Sequence, residues 1–456
     1  MIDAFPFAGF TVAIYGLDEN GIAAARSMMV AEADVWAWDD NEDRRAEARK
    51  WDIPLVNLHM ANWKEPVSLV ISPAIAHGKK GADPIVKMAR KAGAEVIGDV
   101  EVLARTQRDA EFIGITGGRG KATTAAMLHH IINVSGGEAE VGGMPGAPAL
   151  STFGLGVEGK YVLSMPPEQL DLTVSITFDV AILLNDLGLE SRTAEMMGIF
   201  HRQTDPRSAV IGIDSEATFA IFEGLKTKAE QKVVPISVTK PAIGGVYASE
   251  GWLYDDMDGQ NVKVMSFEDL DGMDGLHNQQ NAVAAYAAAR CTGIQAHQAM
   301  ACLQSYAGIT HRQEWVATID GVDYLNDARA DNPSLVATSI SPYDKVYWIG
   351  GGRNGITQDW SPVAGQAGLL KKAITFGAAA GEIEEQLGAS CTIERAESLE
   401  AAVQRARDLA LEETGEGAVV MLSPGTPAGP ALGGFQDRGD AFKDLVEALP
   451  GERLED

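Results

Sequence analysis

Cysteine is scarce in this sequence. Three cysteines occur among 456 residues, Cys291, Cys302 and Cys391, and they stand far apart. This spacing matches no metal-binding motif, and so little cysteine suits a chain that works in a reducing cytoplasm. The composition is otherwise that of a globular protein, because 46% of the residues are hydrophobic and 22% are charged. The length is sufficient for two or three domains with substantial cores.

Long apolar runs are missing as well. No stretch reaches the roughly 20 residues that a helix needs to cross a bilayer. The first four residues, MIDA, lack the basic region with which a secretory signal begins. We therefore expect a cytoplasmic protein that has no membrane partner.

Positive charge is in short supply. Lysine and arginine together number 37 against 64 aspartates and glutamates, which gives a formal net charge of −27. Such an excess of negative charge argues against nucleic acid and against an anionic membrane surface as partners. Any anionic ligand must then be held by local donors, against an unfavourable overall field.

A glycine-rich segment, GITGGRGKATT at residues 114–124, is the most informative motif. It follows a short apolar run that predicts a strand and precedes a run that predicts a helix. Glycines allow the backbone to approach a phosphate, and the N–H groups and dipole of a helix N terminus favour an anion. The predicted phosphate-binding residues are Gly117, Gly118, Arg119, Gly120, Lys121, Ala122 and Thr123.

The segment departs from the strict nucleotide-binding pattern at two places. Ile115 holds the place of the first glycine, and Ala122 holds the place of the serine or threonine that ordinarily ligates Mg²⁺. The neighbouring Thr123 offers a hydroxyl in its stead, so Mg²⁺ binding is a weaker expectation than phosphate binding. A glycine-rich turn that binds nothing is the alternative.

The N-terminal residues predict a strand–helix–strand unit. A β-branched and aromatic run ends at Gly16, a helical stretch follows Gly21, and a second strand ends at Asp39. An acidic residue at about this distance from the glycine turn is typical of units that hold a nucleotide ribose. Two glycines make only an incomplete fingerprint, and Asp39 is equally well explained as a cap at the strand end.

Alternation of strands and helices predicts an α/β fold throughout. We expect a Rossmann-like unit over residues 1–109, a central unit with a parallel sheet over 110–308, and a Rossmann-like unit over 309–456. Short antiparallel strands are predicted between 241 and 265, because tight turns separate short runs of β-forming residues. The alanine-rich stretch from Asn281 to Arg290 predicts a helix.

Several motifs, taken in order, resemble the Mur ligase family, in particular its D-glutamate-adding members. They extend over nearly the whole chain and are SPAI at 72–75, GDVE at 98–101, the phosphate segment, HNQQN at 277–281, HRQE at 311–314, NDARADNP at 326–333 and RGDAF at 438–442. The resemblance implies three domains and an ATP-dependent, amide-forming reaction that proceeds through an acyl phosphate. It implies ATP and Mg²⁺ as cofactors, UDP-N-acetylmuramoyl-L-alanine and D-glutamate as substrates, and a monomer.

The resemblance also implies roles for particular residues. Lys121 and Arg329 would be the catalytic cations. Asn278, Arg312, Asn326 and Asp327 would contact ATP, and Leu17, Asn20, Asp39 and Ser72 would contact the UDP-sugar. Plainer interpretations stay open: Asn278 could cap a helix, Asn326 and Asp327 could form a turn, and Arg312 could be an interdomain residue.

Other positions depart from the family pattern. A metal-binding glutamate is replaced by Ser164, with Glu168 four residues further on, and a lysine by Met196. A metal-binding histidine is missing from the segment 185–192, and the segments 351–356 and 425–430 also differ. Losing several coordinating groups typically costs about 10²-fold or more in rate for each group. Two alternatives follow: a catalytically impaired paralogue that binds a nucleotide, a UDP-sugar or a cell-wall enzyme and regulates, or an amide ligase with altered substrates.

Overall fold

In the computed structural model, the chain divides into two units, Met1–Tyr306 and Ala307–Asp456. The structure describes residues 1–78, 81–144, 146–186, 190–270, 275–306, 308, 310–341, 343–352, 358–413, 417–426 and 434–453. Within these ranges, no helix combines the length and the apolar character that would let it cross a bilayer. Three sheets carry the fold, which confirms the predicted α/β class.

The first sheet of the N-terminal unit has four parallel strands in the order β2-β1-β3-β4. Its strands are β1 (Thr11–Tyr15), β2 (Asp34–Trp38), β3 (Ser68–Ile71) and β4 (Glu95–Ile97). Its helices are α1 (Glu19–Val30), α2 (Glu42–Arg49), α3 (Pro84–Ala92) and α4 (Asp99–Thr106). The strand β3 is buried along its whole length because helices cover both faces of such a sheet.

The second sheet of this unit has nine strands in the order β13-β12-β11-β10-β9-β8-β5-β7-β6. They are β5 (Glu111–Thr116), β6 (Ala139–Gly142), β7 (Lys160–Ser164), β8 (Val180–Leu183), β9 (Ser208–Gly212), β10 (Lys232–Ser237), β11 (Val246–Ser249), β12 (Trp252–Asp255) and β13 (Val262–Ser266). The helices are α5 (Lys121–Val134), α6 (Pro167–Asp171), α7 (Thr193–Met196), α8 (Glu216–Lys228), α9 (Leu276–Cys291) and α10 (Ala296–Gln304).

The antiparallel strands that the sequence predicts between 241 and 265 are confirmed. Strand β12 pairs antiparallel with both β11 and β13, and it extends a sheet that is otherwise parallel. The alanine-rich helix is also confirmed as α9, and its residues from Asn281 to Ala289 are all buried. This burial explains the alanines, because small side chains let a helix pack closely against the sheet.

The C-terminal unit holds a six-stranded sheet in the order β14-β15-β19-β16-β17-β18. Its strands are β14 (Glu314–Ile319), β15 (Val322–Asn326), β16 (Val346–Gly352), β17 (Leu370–Gly377), β18 (Ile393–Arg395) and β19 (Ala418–Leu422). Its helices are α11 (Pro333–Ile340), α12 (Ser361–Ala364), α13 (Ala380–Leu387), α14 (Leu399–Glu413) and α15 (Phe435–Glu447). Among the described residues of this sheet, β14 and β15 pair antiparallel and the other strand pairs are parallel. The domain boundaries at 109 and 308 stay a prediction.

Candidate nucleotide and substrate site

The phosphate loop, residues 117–120, joins the end of β5 to the start of α5. Gly117 and Gly120 have φ angles of +139° and +89°, which residues other than glycine adopt at a cost. A side chain at Gly120 would also collide with Asn281, because its Cβ would lie 2.1 Å from Oδ1. The first N–H groups of α5 have no carbonyl partner within the helix, so they are available to an anion. The loop and the start of α5 therefore have the backbone shape of the predicted phosphate cradle.

Asn185, which follows β8, holds this loop in place. Its backbone carbonyl accepts the N–H of Gly118 at 3.1 Å, and its Oδ1 accepts the N–H of Arg119 at 3.1 Å. Its Nδ2 donates to the Arg119 carbonyl at 3.2 Å and to Oε1 of Gln280 at 2.7 Å. Sequence reasoning missed Asn185 and Gln280 as site residues. The position of Asn185 just after a buried strand was a signal for it, and the place of Gln280 within the HNQQN motif was a signal for the glutamine.

Lys121 lies over the loop that precedes it. Its ammonium Nζ donates to the carbonyl of Gly117 at 2.7 Å and to that of Gly118 at 3.3 Å. The positive charge therefore sits at the mouth of the cradle, where the phosphates of a nucleotide would lie. The first turn of α5 buries Thr123 and Thr124, and the Thr124 hydroxyl donates to Oδ1 of Asn281 at 3.3 Å.

The asparagines of α9 do not cap this helix. The N-cap position belongs to Gly275, so Asn278 and Asn281 lie inside the first two turns. Both side chains are buried, and Asn281 faces the phosphate loop. The capping explanation of Asn278 is therefore wrong, whereas its contact with ATP stays a prediction.

The turn after β1 is held by two carboxylates. Asp39, at the end of β2, accepts the N–H of Leu17 at 2.7 Å and that of Asn41 at 2.8 Å. Asp18 caps α1 by accepting the N–H of Asn20 at 3.1 Å, and it receives the hydroxyl of Ser72. The four residues predicted to contact a UDP-sugar thus lie together at the carboxyl ends of parallel strands, where ligands bind in open α/β sheets.

A further charged cluster joins the segments that follow β7 and β8. Arg192 forms ion pairs with Glu168 of α6 and with Glu195 of α7. Partial burial raises the pKa of Glu168, but the hydrogen bond and charge of Arg192, a backbone hydrogen bond and the charge of His77 together leave that pKa below its ordinary value. Among the described residues, no group of three or more histidine, cysteine, aspartate or glutamate side chains is arranged to hold a metal ion.

In the C-terminal unit, Asn326 and Asp327 are buried at the end of β15. The amide of Asn326 donates to Oε2 of Glu314 at 3.0 Å and to the carbonyl of Gly439 at 3.2 Å. Asp327 accepts the hydroxyls of Ser339 and Ser423, each at 2.7 Å. Burial raises the pKa of the Asp327 carboxyl. These side chains organise the loop that follows β15, and their contact with ATP stays a prediction.

Three arginines, Arg329, Arg312 and Arg438, lie in or beside that loop. The guanidinium of Arg329 lies 4.6 Å from the ring centroid of Phe435, at the start of α15. The charge of Arg312 acts on Asp327 and opposes the rise in its pKa. Arg438 is buried and donates to the carbonyl of Ala328 at 2.9 Å, and burial lowers its pKa to about 10. Arg438 therefore holds the loop, which leaves Arg329 and Arg312 as the candidate ligand contacts.

Parts of two predicted segments lie outside the described residues. They are residues 353–356 of the segment 351–356 and residues 427–430 of the segment 425–430. The same holds for residues 187–189, in the segment where the histidine of the family pattern is missing. No structural outcome is assigned to these predictions.

Comparison of the sequence with known proteins identifies relatives of this chain. No protein-family model matches the chain. The UDP-N-acetylmuramoylalanine–D-glutamate ligase of Rhodospirillum rubrum is 35% identical over 99% of this chain and 98% of its own length. The ligase of the same name from Phenylobacterium zucineum is 33% identical over 98% of each chain.

Solved structures agree on the fold. The UDP-N-acetylmuramate–alanine ligase of Thermotoga maritima matches with a TM-score of 0.58 at 17% identity, over 96% of this chain and 99% of its own. The MurF ligase of the same organism, solved in complex with ADP, matches with a TM-score of 0.51 at 17% identity, over 86% and 97%. Identities this low establish only a shared architecture.

Proposed function

Because the chain belongs to the family of UDP-N-acetylmuramoylalanine–D-glutamate ligases, we propose that it joins D-glutamate to UDP-N-acetylmuramoyl-L-alanine and converts ATP to ADP and phosphate. The observation that carries this proposal is the 35% identity to such a ligase over nearly the full length of both chains. The intact cradle at the end of β5 supports it. We further propose that the protein acts as a monomer in the cytoplasm.

The reaction divides into two transfers. A carboxylate oxygen of the alanyl group attacks the γ-phosphorus of ATP, the bond to the β,γ-bridging oxygen breaks, and ADP leaves with the electron pair. The amine of D-glutamate then attacks the acyl carbon, loses a proton, and expels inorganic phosphate. Both transfers bring anionic groups together, so positioning and neutralisation of charge are the main tasks of the protein.

The phosphate loop would perform the first of these tasks. The N–H groups of the first turn of α5 would bind the nucleotide phosphates, and the ammonium of Lys121 would turn from the carbonyls of Gly117 and Gly118 to phosphate oxygens. Asn185 keeps the loop in its binding shape through the hydrogen bonds to Gly118 and Arg119. In the C-terminal unit, Arg329 and Arg312 would contact ATP, and Asp327 holds the loop that carries Arg329 by accepting the hydroxyls of Ser339 and Ser423.

The first sheet would hold the UDP-sugar. Leu17, Asn20, Asp39 and Ser72 surround the turn after β1, and Asp39 and Asp18 fix this turn through its backbone N–H groups. Each carboxylate has acceptor capacity beyond these bonds, because its two oxygens offer about four lone-pair sites. Asp39 can therefore hold the turn and accept a ribose hydroxyl at the same time.

Magnesium is expected with ATP, and the residues present fit an ion that is held mainly by the nucleotide. Mg²⁺ takes few protein ligands when phosphates and waters complete its octahedron. The hydroxyl of Thr123, in the first turn of α5, is the protein ligand that we assign to it. When bound, Mg²⁺ would neutralise charge on the transferred phosphoryl group.

Calorimetric titration tests this proposal. Titration with UDP-N-acetylmuramoyl-L-alanine and, separately, with Mg²⁺-ATP should give saturable binding at one site for each ligand. No observation favours the impaired paralogue, because Lys121 and both left-handed glycines of the loop are in place. Binding of the UDP-sugar without any binding of ATP would overturn the proposal.

A further inference from the structure

The strands that flank β5 direct two further chain segments toward the phosphate loop. Strand β5 lies between β7 and β8, and all three run parallel, so their carboxyl ends share one edge of the sheet. The phosphate loop leaves from the middle strand. The segment after β7 leads within four residues to Glu168, and the segment after β8 leads to Arg192.

The ion pair between Arg192 and Glu168 bridges these two segments. It therefore connects the chain on one side of the phosphate loop to the chain on the other side. Glu195 fixes the guanidinium from a second direction, since it accepts from both Nε and Nη2 of Arg192. Two carboxylates thus hold a single cation at the edge of the sheet where the cradle opens.

The guanidinium keeps donor capacity for a ligand. Its contacts with Glu168 and Glu195 use one N–H each of Nε, Nη1 and Nη2, out of five N–H donors. Two donors remain beside these contacts, and the planar fork of a guanidinium can match the spacing of two phosphate oxygens. The Arg192 side chain is 29% exposed, so a ligand can reach it.

The first sheet borders the same cluster. The loop after β3, which carries Ser72, continues to His77, and the charge of His77 acts on Glu168 and lowers its pKa. His77 is buried, and its Nδ1 lies 2.8 Å from the carbonyl of Ile75. The cluster of Glu168, Arg192 and Glu195 is therefore close to the segment proposed to hold the UDP-sugar as well as to the segments that flank the phosphate loop.

We propose that Arg192 is a catalytic residue that binds the phosphoryl group while it passes from ATP to the substrate carboxylate. This inference rests on the proposed function and adds a residue to it. The γ-phosphoryl oxygens would take the two remaining donors of Arg192, and Glu168 and Glu195 would keep the guanidinium oriented. The cation would bind more strongly to the transferring group than to ADP, because only ATP carries the third phosphate.

The experiment compares nucleotide binding and turnover in Arg192→Ala, Arg192→Lys and the matched control Arg49→Ala. Arg49 forms an exposed ion pair with Glu42 in the same unit, so its variant reports the loss of a surface arginine alone. We expect Arg192→Ala to lower kcat by about 10²-fold, as removal of one charge-stabilising group typically does. Calorimetry should show that it weakens Mg²⁺-ATP binding about tenfold and leaves Mg²⁺-ADP binding unchanged.

The lysine variant keeps the positive charge but lacks the planar guanidinium, so it should retain part of the preference for ATP over ADP. Its kcat and its affinity for Mg²⁺-ATP should fall between those of wild type and those of the alanine variant. Arg49→Ala should match wild type in every readout. An unchanged ATP-to-ADP affinity ratio and unchanged kcat in folded Arg192→Ala would overturn the role of Arg192. If wild type binds ATP but makes no amide, the proposed function fails, and the affinity ratio still decides whether Arg192 contacts the third phosphate.

Discussion

At the scale of single residues, the phosphate loop depends on side chains that are missing as much as on those that are present. Gly117 and Gly120 adopt left-handed backbone conformations, and Gly120 leaves the space that Asn281 occupies. Lys121 places a single ammonium group over two loop carbonyls. The two glycines therefore determine the shape of the loop and Lys121 supplies its positive charge, so separate substitutions can test each.

Removal of the charge is expected to affect turnover and not folding. We expect Lys121→Ala to reduce kcat by about 10²-fold or more, because the lost ammonium would stabilise negative charge on the phosphates. The melting temperature should stay within a few degrees of wild type, since the hydrogen bonds from Nζ of Lys121 to the carbonyls of Gly117 and Gly118 lie within one loop. Lys50→Ala, which breaks an exposed pair with Glu47, is the control. Wild-type kcat in Lys121→Ala would contradict the assignment.

A substitution that changes the shape of the phosphate loop is expected to affect both ATP binding and stability. Gly120→Ala should weaken Mg²⁺-ATP binding at least tenfold and lower the melting temperature, because its Cβ would collide with Asn281. Gly136→Ala is the matched control: Gly136 has φ of +92°, and no heavy atom lies within 4 Å of the added carbon. The control should pay only the backbone cost of about 1 kcal/mol and should bind ATP as wild type does. Equal ATP affinity in the two variants would contradict the steric argument.

At the scale of elements, the ends of parallel strands position the candidate site. The turn after β1, the loop after β3 and the loop after β5 carry the residues predicted to bind the UDP-sugar and the phosphates. A further contact joins helix α4 to helix α6, between Asp99 and Gln169. The carboxylate of Asp99 accepts from Nε2 of Gln169 at 2.7 Å, and burial raises its pKa to about 6.

This buried carboxyl makes stability depend on pH. The folded pKa of Asp99 lies above the ordinary value of 3.8, so ionisation costs folding free energy as the pH rises from about 4 to 6. We expect Asp99→Asn to gain stability relative to wild type across this window, by up to about 3 kcal/mol at 1.36 kcal/mol per pKa unit. Chemical denaturation at pH 4, 5, 6 and 7 measures the difference.

The exposed Asp109 supplies the control for that measurement. Asp109→Asn removes one exposed carboxyl group from the same unit, and it is measured beside Asp99→Asn at all four pH values. A stability difference between Asp99→Asn and wild type that does not change with pH would show that Asp99 is not the group responsible.

Most of these elements could be predicted from the sequence, because their periodicity and glycine turns are local signals. Strand β10 could not, since Pro235 interrupts an otherwise β-forming run and proline is unusual inside a sheet. The phosphate loop was predictable for the same local reasons. Asn185, Gln280 and the Glu168–Arg192 pair were not, because their contacts join positions 24 to 95 residues apart.

At the scale of the whole molecule, local donors must overcome the overall charge. The net charge of −27 opposes the approach of a nucleotide and of a UDP-sugar. The donors proposed for these ligands are helix N–H groups and a few cations, Lys121 and Arg192 in one unit and Arg312 and Arg329 in the other. The sequence alone reveals the deficit of cations, and the fold shows which elements carry each of the few.

The proposed function requires that this chain completes the amide-forming reaction. The most direct measurement is the release of ADP and phosphate in the presence of Mg²⁺-ATP and UDP-N-acetylmuramoyl-L-alanine, with and without D-glutamate, together with the mass of the UDP-linked product. We expect ADP, phosphate and product to form in equal amounts and only when D-glutamate is present. Binding of both ligands without any D-glutamate-dependent product would contradict it.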